Sequence, residues 1–216
     1  MAKLYVSNKD ETPRLFQNDF LEKLSRVHPS VPLILYLPLV AFLLYRSANN
    51  PQIGAAEIVG LFALGVLFWT FMEYVIHRFA FHYEFKSEMG KRVHFLIHGI
   101  HHDYPRDSKR LVMPPSVSIP LAILFYGLFR WALGVTVGEP SFAGFVFGYV
   151  CYDSIHYVLH HWSMRGSRLG LWLQQHHNLH HYQDPDRGYG VSTPLWDYVF
   201  GTMPEPIKKK KMPVDA

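Results

Sequence analysis

The sequence predicts an all-α, integral membrane protein: four transmembrane helices in two hairpins, with a cytoplasmic helical cap. Three observations carry this reading. The 216 residues are 49% hydrophobic and 16% aromatic, yet mean hydropathy is only +0.01, because the apolar residues are gathered into a few nearly pure stretches separated by polar sequence. Within each pair of stretches the connection is short and contains a proline. Those connections are also poor in Lys and Arg, since 19 of the 21 lie elsewhere.

The first 30 residues, Met1–Ser30, are polar and mixed in charge, with no apolar core of a cleavable signal. They read as a cytoplasmic N-terminal segment (1–30), and the first span is expected to stay in the mature protein. Val31–Tyr45 is the first apolar stretch, closed by Arg46. Ile53–Ile76 is the second, interrupted by Glu57 and Glu73. Val117–Val137 is the third, with Arg130 inside, and Phe142–Leu159 is the fourth, with Asp153 and His156 near its end. A spanning helix needs ~20 apolar residues, so the shorter stretches call for tilt or shallow insertion. Any one of them taken alone reads equally as a buried helix of a soluble protein; four in so short a chain do not.

Ser47–Gln52 and Gly138–Ser141 join the pairs, and Pro51 and Pro140 mark the turns. Everything else falls on the opposite side, including every Lys and Arg except Arg46 and Arg130. The positive-inside rule makes that side cytoplasmic. Residues 31–204 then form the membrane domain, and 205–216 a basic tail whose run Lys208–Lys211 is a solvated segment suited to anionic lipid. The net charge of +4 is modest, and the basic residues are not interleaved with aromatics along one face, which argues against nucleic acid as a partner. Cys151 stands alone, so no disulfide framework exists within the chain.

Thirteen of the 14 histidines lie between His77 and His181, in four groups. These are His77-Arg-Phe-Ala-Phe-His82, His98-Gly-Ile-His101-His102 with His94 just upstream, His156-Tyr-Val-Leu-His160-His161 and His176-His177-Asn-Leu-His180-His181. Helical residues four apart share a face, with Cβ atoms ~5–6 Å apart. The pairs His98/His102, His156/His160 and His177/His181 can therefore each grip one ion. Adjacent histidines diverge by ~100° on a helix, so His101 and His180 reach a second ion. The split pairs suggest two metals close together on the cytoplasmic side of the membrane.

His28 is isolated. His94, His161 and His176 fall outside the chelating pattern and suit structural roles around the ligands. Glu73 precedes His77 by one turn, and Asp153 precedes His156 by three residues. Carboxylates inside a membrane helix are costly unless partnered. Holding a ligand imidazole would explain both, and a plain polar contact serves as well. Glu57 lies at the far membrane surface, where solvation suffices.

Nitrogen-rich sites with open positions suit iron, zinc, copper or nickel. A hydrolase would want a carboxylate base, and none lies inside the motifs. Two metals opening onto a bilayer suggest oxidation of a lipid C–H bond, which needs O2 activated by a metal such as iron. A non-catalytic metal-binding or transport protein is the reading from another class. A transporter would place its ligands along a path within the bilayer, whereas these cluster at and beyond the helix ends.

The motifs H-x4-H, H-x2-HH, H-x3-HH and HH-x2-HH resemble the fatty acid hydroxylase/sterol desaturase superfamily. Arg14-Leu-Phe-Gln-Asn-Asp-Phe-Leu21, Ser30-Val-Pro-Leu-Ile34, Arg110-Leu-Val-Met-Pro-Pro115, Gly188-Tyr-Gly-Val-Ser192 and Trp196-Asp-Tyr-Val-Phe-Gly-Thr202 resemble its fatty acid 2-hydroxylase branch. The resemblance runs from Arg14 to Pro204. It implies hydroxylation at C2 of long-chain acyl groups, free or in ceramide, with a sterol or carotenoid hydroxylase or desaturase as the alternative within the superfamily.

It also implies ten ligands: His77, His82, His98, His102 and His180 for one metal, and His101, His156, His160, His177 and His181 for the other. Iron is the implied active metal, zinc a possible occupant of purified protein, and O2 the co-substrate. The cytochrome b5 haem motif His-Pro-Gly-Gly of many relatives is absent from these residues. The expectation is a separate donor, cytochrome b5 or ferredoxin with its reductase, docking where Arg106, Lys109 and Arg110 meet an acidic partner. The implied membrane is the endoplasmic reticulum in a eukaryote and the inner membrane in a bacterium. Acyl chains are expected to enter sideways from the bilayer, with Phe79–Phe85 and Phe142–Tyr152 as candidate walls.

Overall fold

A computed structural model describes residues 4–205, and within them the backbone is helix and loop without a strand. Helix α1 is Asp19–Leu24, α2 Val31–Ala48, α3 Ala55–Ile76, α4 Glu88–His94, α5 Ile100–Asp103, α6 Pro115–His161, α7 Arg168–Tyr182 and α8 Leu195–Val199. α3 and α4 each run on into one turn of π-helix, His77–Phe81 and Phe95–Gly99. The run Lys208–Lys211 lies outside the described residues.

Among the described residues three helices are long and apolar enough to cross a membrane: α2, α3 with its π turn (Ala55–Phe81), and α6. The difference from the expected four lies in α6, which is 47 residues long but is not one rod. Gly134 has φ 70° and ψ 179°, a conformation that a side chain disfavours and glycine accepts. The chain doubles back there. The rings of Phe125 and Phe145 lie 5.0 Å apart, and those of Tyr126 and Phe142 5.3 Å apart; twenty residues of straight helix would put ~30 Å between the first pair. The reversal falls at Gly134 rather than at Gly138–Ser141, and Pro140 sits inside the second arm.

That second arm is the centre of the fold. It packs on α3 through small residues: a Cβ on Gly144 would lie 2.0 Å from the Phe62 carbonyl oxygen, and one on Gly65 2.0 Å from that of Ser141. Between membrane helices little hydrophobic force is available, and close backbone approach through small residues takes its place. Trp69, Phe142, Phe145 and Tyr149 fill the space beside this seam, and Tyr36, Val40 and Leu43 of α2 close it. The outer faces remain apolar and exposed, for instance at Ile34, Phe42, Val59 and Ile123, as lipid contact requires.

The two hairpin turns meet at one end. Asn50 donates to Thr136 at 3.2 Å, and the Thr136 hydroxyl donates to Gln52 at 3.1 Å. Arg46 pairs with buried Glu139 at 3.2 Å. Glu57 caps the start of α3, accepting the Gly54 amide at 2.7 Å. The histidines lie at the other end.

There the N-terminal segment straps across the cap. The amides of Val6 and Ser7 donate to Asp103 O at 2.9 and 3.1 Å, and Tyr182 donates to Asn8 at 3.0 Å. Arg110, expected at the surface to receive a partner, is buried: it pairs with Glu22 at 2.7 Å and Asp107 at 3.4 Å. Burial raises the Glu22 carboxyl, but the amides of Phe16 and Leu15, with Arg26 and Arg110, outweigh it and hold it at about 2. The stability this group adds is full above the ordinary carboxylate range and is lost as pH falls toward 2.

Replacing Gly144 by alanine places a methyl group against the Phe62 backbone and should cost about 3 kcal/mol, the upper end for overpacking. Gly127→Ala, which meets nothing within 4 Å, should be tolerated. Thermal stability of the detergent-solubilised protein distinguishes them.

Candidate metal centre

The four histidine groups converge. His77, His82, His98, His102 and His180 each bring one ring nitrogen within 4.8 Å of the others, and His101, His156, His160, His177 and His181 do the same. The sets touch: the His102 and His181 rings stack at 4.3 Å. Every member of the second set is buried, whereas His82 and His102 of the first are half-buried.

Local backbone explains the spacings. His156/His160 and His177/His181 are four apart on α6 and α7, with rings 5.0 and 4.5 Å apart. His77 and His82 are five apart, a spacing that splays side chains on an α-helix. The π turn corrects this: the His82 amide donates to His77 O at 3.2 Å, closing an i→i+5 ring that brings the two imidazoles to 5.1 Å. The second π turn carries His98 and leads into α5, which carries His102, and the two bring their Nε2 atoms to 3.0 Å.

These nitrogens fit a cation and little else. His98 Nε2 has the Nε2 atoms of His77, His82 and His102 at 3.1, 3.2 and 3.0 Å. One proton satisfies one such contact, and the remaining lone pairs face each other. His101 Nε2, His180 Nε2 and both nitrogens of His156 and His181 are buried without a hydrogen-bond partner, a costly state for polar atoms. Burial also keeps the rings neutral, as ligation requires. It pushes His98, His101, His102, His177, His180 and His181 well below the usual imidazole range, and burial with His94 nearby takes His82 to about 4.

One loop aims part of the cluster. His77 Nδ1 donates to Tyr189 O at 2.5 Å, and His180 Nδ1 to Arg187 O at 2.8 Å, which turns each Nε2 inward. Two buried carboxylates hold the loop. Asp197 accepts the amides of Tyr189 and Gly190 at 2.9 and 2.7 Å and the Thr202 hydroxyl at 2.8 Å. Glu73 accepts the amides of Val191 and Ser192 at 2.6 and 2.8 Å, and the Ser192 hydroxyl.

Glu73 therefore orders the backbone behind His77 and does not touch an imidazole. Asp153 also holds no histidine; it lies against Tyr149 and the backbone of Met113. His176 bonds Asp197 at 3.1 Å, and His161 stacks on Tyr157 at 4.3 Å, both outside the two sets. Asp197, Tyr189 and Arg187 had no assigned role in the sequence, although the first two stand in the Trp196–Thr202 and Gly188–Ser192 blocks.

A cavity of about 300 Å³ opens beside the cluster. His98, His101 and His156 form one end, and apolar residues of the membrane helices, among them Trp69, Val117 and Leu121, form the other. Phe81 and Tyr152 are the residues of the two expected aromatic stretches that line it.

Apolar spans, clustered imidazoles and a cavity joining them define a class: membrane enzymes that act on lipid at a histidine-rich metal site. The chain belongs to the fatty acid hydroxylase family, whose model matches residues 62–202. A dihydroceramide fatty acyl 2-hydroxylase of Arabidopsis thaliana is 41% identical over 90% of this chain and 81% of its own length. The fatty acid 2-hydroxylase of Mus musculus is 40% identical over 88% of this chain and 56% of its own. The solved structure of full-length scs7p, of which only the hydroxylase domain is visible, superposes with a TM-score of 0.83 at 38% identity, over 90% of this chain and 73% of that one.

Asp197→Ala should free the loop that aims His77 and His180 and lower metal affinity about 10–100-fold, as loss of such supporting contacts does. His28→Ala should leave it unchanged. Metal content after dialysis against a graded chelator series checks both.

Proposed function

We propose that this chain hydroxylates C2 of long-chain fatty acyl groups, free or in ceramide. The reaction takes one O2, two electrons and two protons, replaces one C2 hydrogen by hydroxyl and releases water. The observation that carries this reading is an identity of about 40% to named acyl 2-hydroxylases over nearly the whole chain, joined to an apolar cavity that ends on both histidine sets.

In this reading the two sets of five histidines are the ligands of two metal ions. Bound iron would supply the O2 activation that an unactivated C–H bond needs. The chain's own residues do the rest. The Arg187–Ser192 loop orients ligand imidazoles, Trp69, Val117 and Leu121 take the acyl chain out of the bilayer, and the buried carboxylate Asp153 lies at the cavity wall beside His156. Electrons come from a separate carrier, cytochrome b5 or a ferredoxin with its reductase. With Arg110 locked in internal ion pairs, exposed Lys109 is the better contact for an acidic carrier.

The two arms of α6 count as two spans, so the chain crosses the membrane four times. The adjacency of the Asn50 and Thr136 turns supports one non-cytoplasmic end, and the charge asymmetry supports a cytoplasmic histidine end. The domain limits 1–30, 31–204 and 205–216 follow from the same reading.

Lipid analysis of a host with and without the wild-type gene tests the function: 2-hydroxylated acyl chains should appear with the gene, and their absence in a host supplying O2 and donor refutes it. Preparations loaded with zinc should be folded but inactive, because zinc outcompetes ferrous iron for nitrogen ligands yet has no redox change. Metal analysis beside turnover would expose the iron assignment as wrong if a zinc-only sample were fully active. An Asn50→Cys variant should be labelled by impermeant reagent from the non-cytoplasmic side alone.

A further inference from the structure

By sequence, Leu195–Phe200 belongs to the cap, beyond the last apolar stretch. α8 nevertheless does not stand clear of the spans. Trp196 Nε1 donates to the Thr70 hydroxyl of α3 at 3.0 Å, the Trp196 and Phe71 rings lie 5.0 Å apart, and Phe200 stacks on Tyr74 at 5.2 Å. Trp196 and Phe200 are four apart and share the face turned to α3. Leu195, Tyr198 and Val199 share the other face and are 43%, 79% and 56% exposed. Asp197, the one charge of the segment, is fully buried and turned inward to the loop behind the ligands.

Depth says what covers the outer face. Arg78, in the π turn that ends α3, is the first basic residue after that span and marks the headgroup layer. Thr70 precedes it by eight residues, ~12 Å down the helix axis. The headgroup layer is ~5–8 Å thick, so the contact of Trp196 with Thr70 lies beneath it. The next turn of the same flank already faces lipid: the Thr70 hydroxyl donates to Leu67 O at 2.8 Å, and the Leu67 residue is 45% exposed. The outer face of α8 continues that lipid-facing surface, and its apolar and aromatic side chains suit it.

We propose that α8 is an in-plane anchor sunk among the acyl chains of the leaflet at the histidine end, and that through it the bilayer steadies the first set of histidines. The link is short. Asp197 accepts the Tyr189 and Gly190 amides, and Thr202 O accepts the Gly188 amide at 2.9 Å. The Tyr189 and Arg187 carbonyls held in this way orient His77 and His180, both members of the first set. The inference rests on the membrane and two-metal readings and is independent of the acyl substrate.

Spin labels test the placement, in protein reconstituted into phospholipid nanodiscs on a Cys151→Ala background. A label at Val199→Cys should collide with O2 and be shielded from a water-soluble nickel chelate, as at Ile123→Cys on the outer face of α6. Lys9→Cys, exposed on the N-terminal strap, should show the reverse. Ready access of the nickel reagent to position 199 overturns the proposal. Shielding from both reagents gives the face to a second copy or another protein and overturns it too.

Zinc binding tests the coupling. Val199→Asp places a charge among acyl chains and should lower the affinity for one of two zinc ions about tenfold, the lower end for lost ligand support. The other ion, and both ions in Val199→Leu, should bind as in the wild type. Where Val199→Asp yields no folded protein, Tyr198→Ser, a milder loss on the same face, is read in the same way. Equal weakening of both ions, or of neither, overturns the coupling. A wild type that binds no zinc would instead strike the two-metal reading.

Discussion

Lone pairs brought nose to nose repel. Around His98 Nε2 three further imidazole nitrogens crowd within 3.2 Å, and four elements of the chain are committed to keeping them there. Two π turns, a doubled-back helix and the helix of the last histidine motif all end at this point. Without positive charge at the centre the cap would be held together against its own electrostatics. That explains why the supports around it are so numerous: a strap of N-terminal backbone on α5, a buried Glu22–Arg110–Asp107 cluster, and a loop pinned by two carboxylates.

Those carboxylates solve a problem particular to membrane enzymes. Glu73 lies within an apolar helix and Asp197 is fully buried, settings in which an unpaired acid is expensive. Backbone amides absorb each charge. The same hydrogen bonds fix the Tyr189 carbonyl, the Gly188 amide on Thr202 O fixes that of Arg187, and the two carbonyls in turn fix His77 and His180. The polarity needed to arrange ligands is thus carried inward as main chain from Gly188–Ser192, and the cavity on the other side of the ligands keeps a mostly apolar lining.

The two sets of histidines could be sorted from the sequence because residues four apart share a helical face and the family resemblance supplied the rest. The five-residue step from His77 to His82 could not be explained that way, since only a π turn brings those rings together. Apolar composition marked the spans but misplaced one turn: Pro140 is a strong turn signal, whereas Gly134 sits between Leu133 and Val135 and looks like span interior. Charge misled at Arg110, whose partners Glu22 and Asp107 come from segments a sequence does not show to be neighbours. Asp197 was equally hidden, because a carboxylate that meets backbone amides leaves no pattern of side-chain types.

The glycine seam has a consequence for how the protein is made. Gly65 and Gly144, which bring α3 and the second arm of α6 into backbone contact, are separated by about 80 residues of chain. At ribosomal speeds of ~5–20 residues per second, the first hairpin waits some seconds in the bilayer before its partner is synthesised. During that interval its small-residue face is open to any other helix with a matching stripe. Biogenesis is therefore the moment at which this protein is most exposed to wrong pairing, and a chaperone that shields one face of α3 would act then.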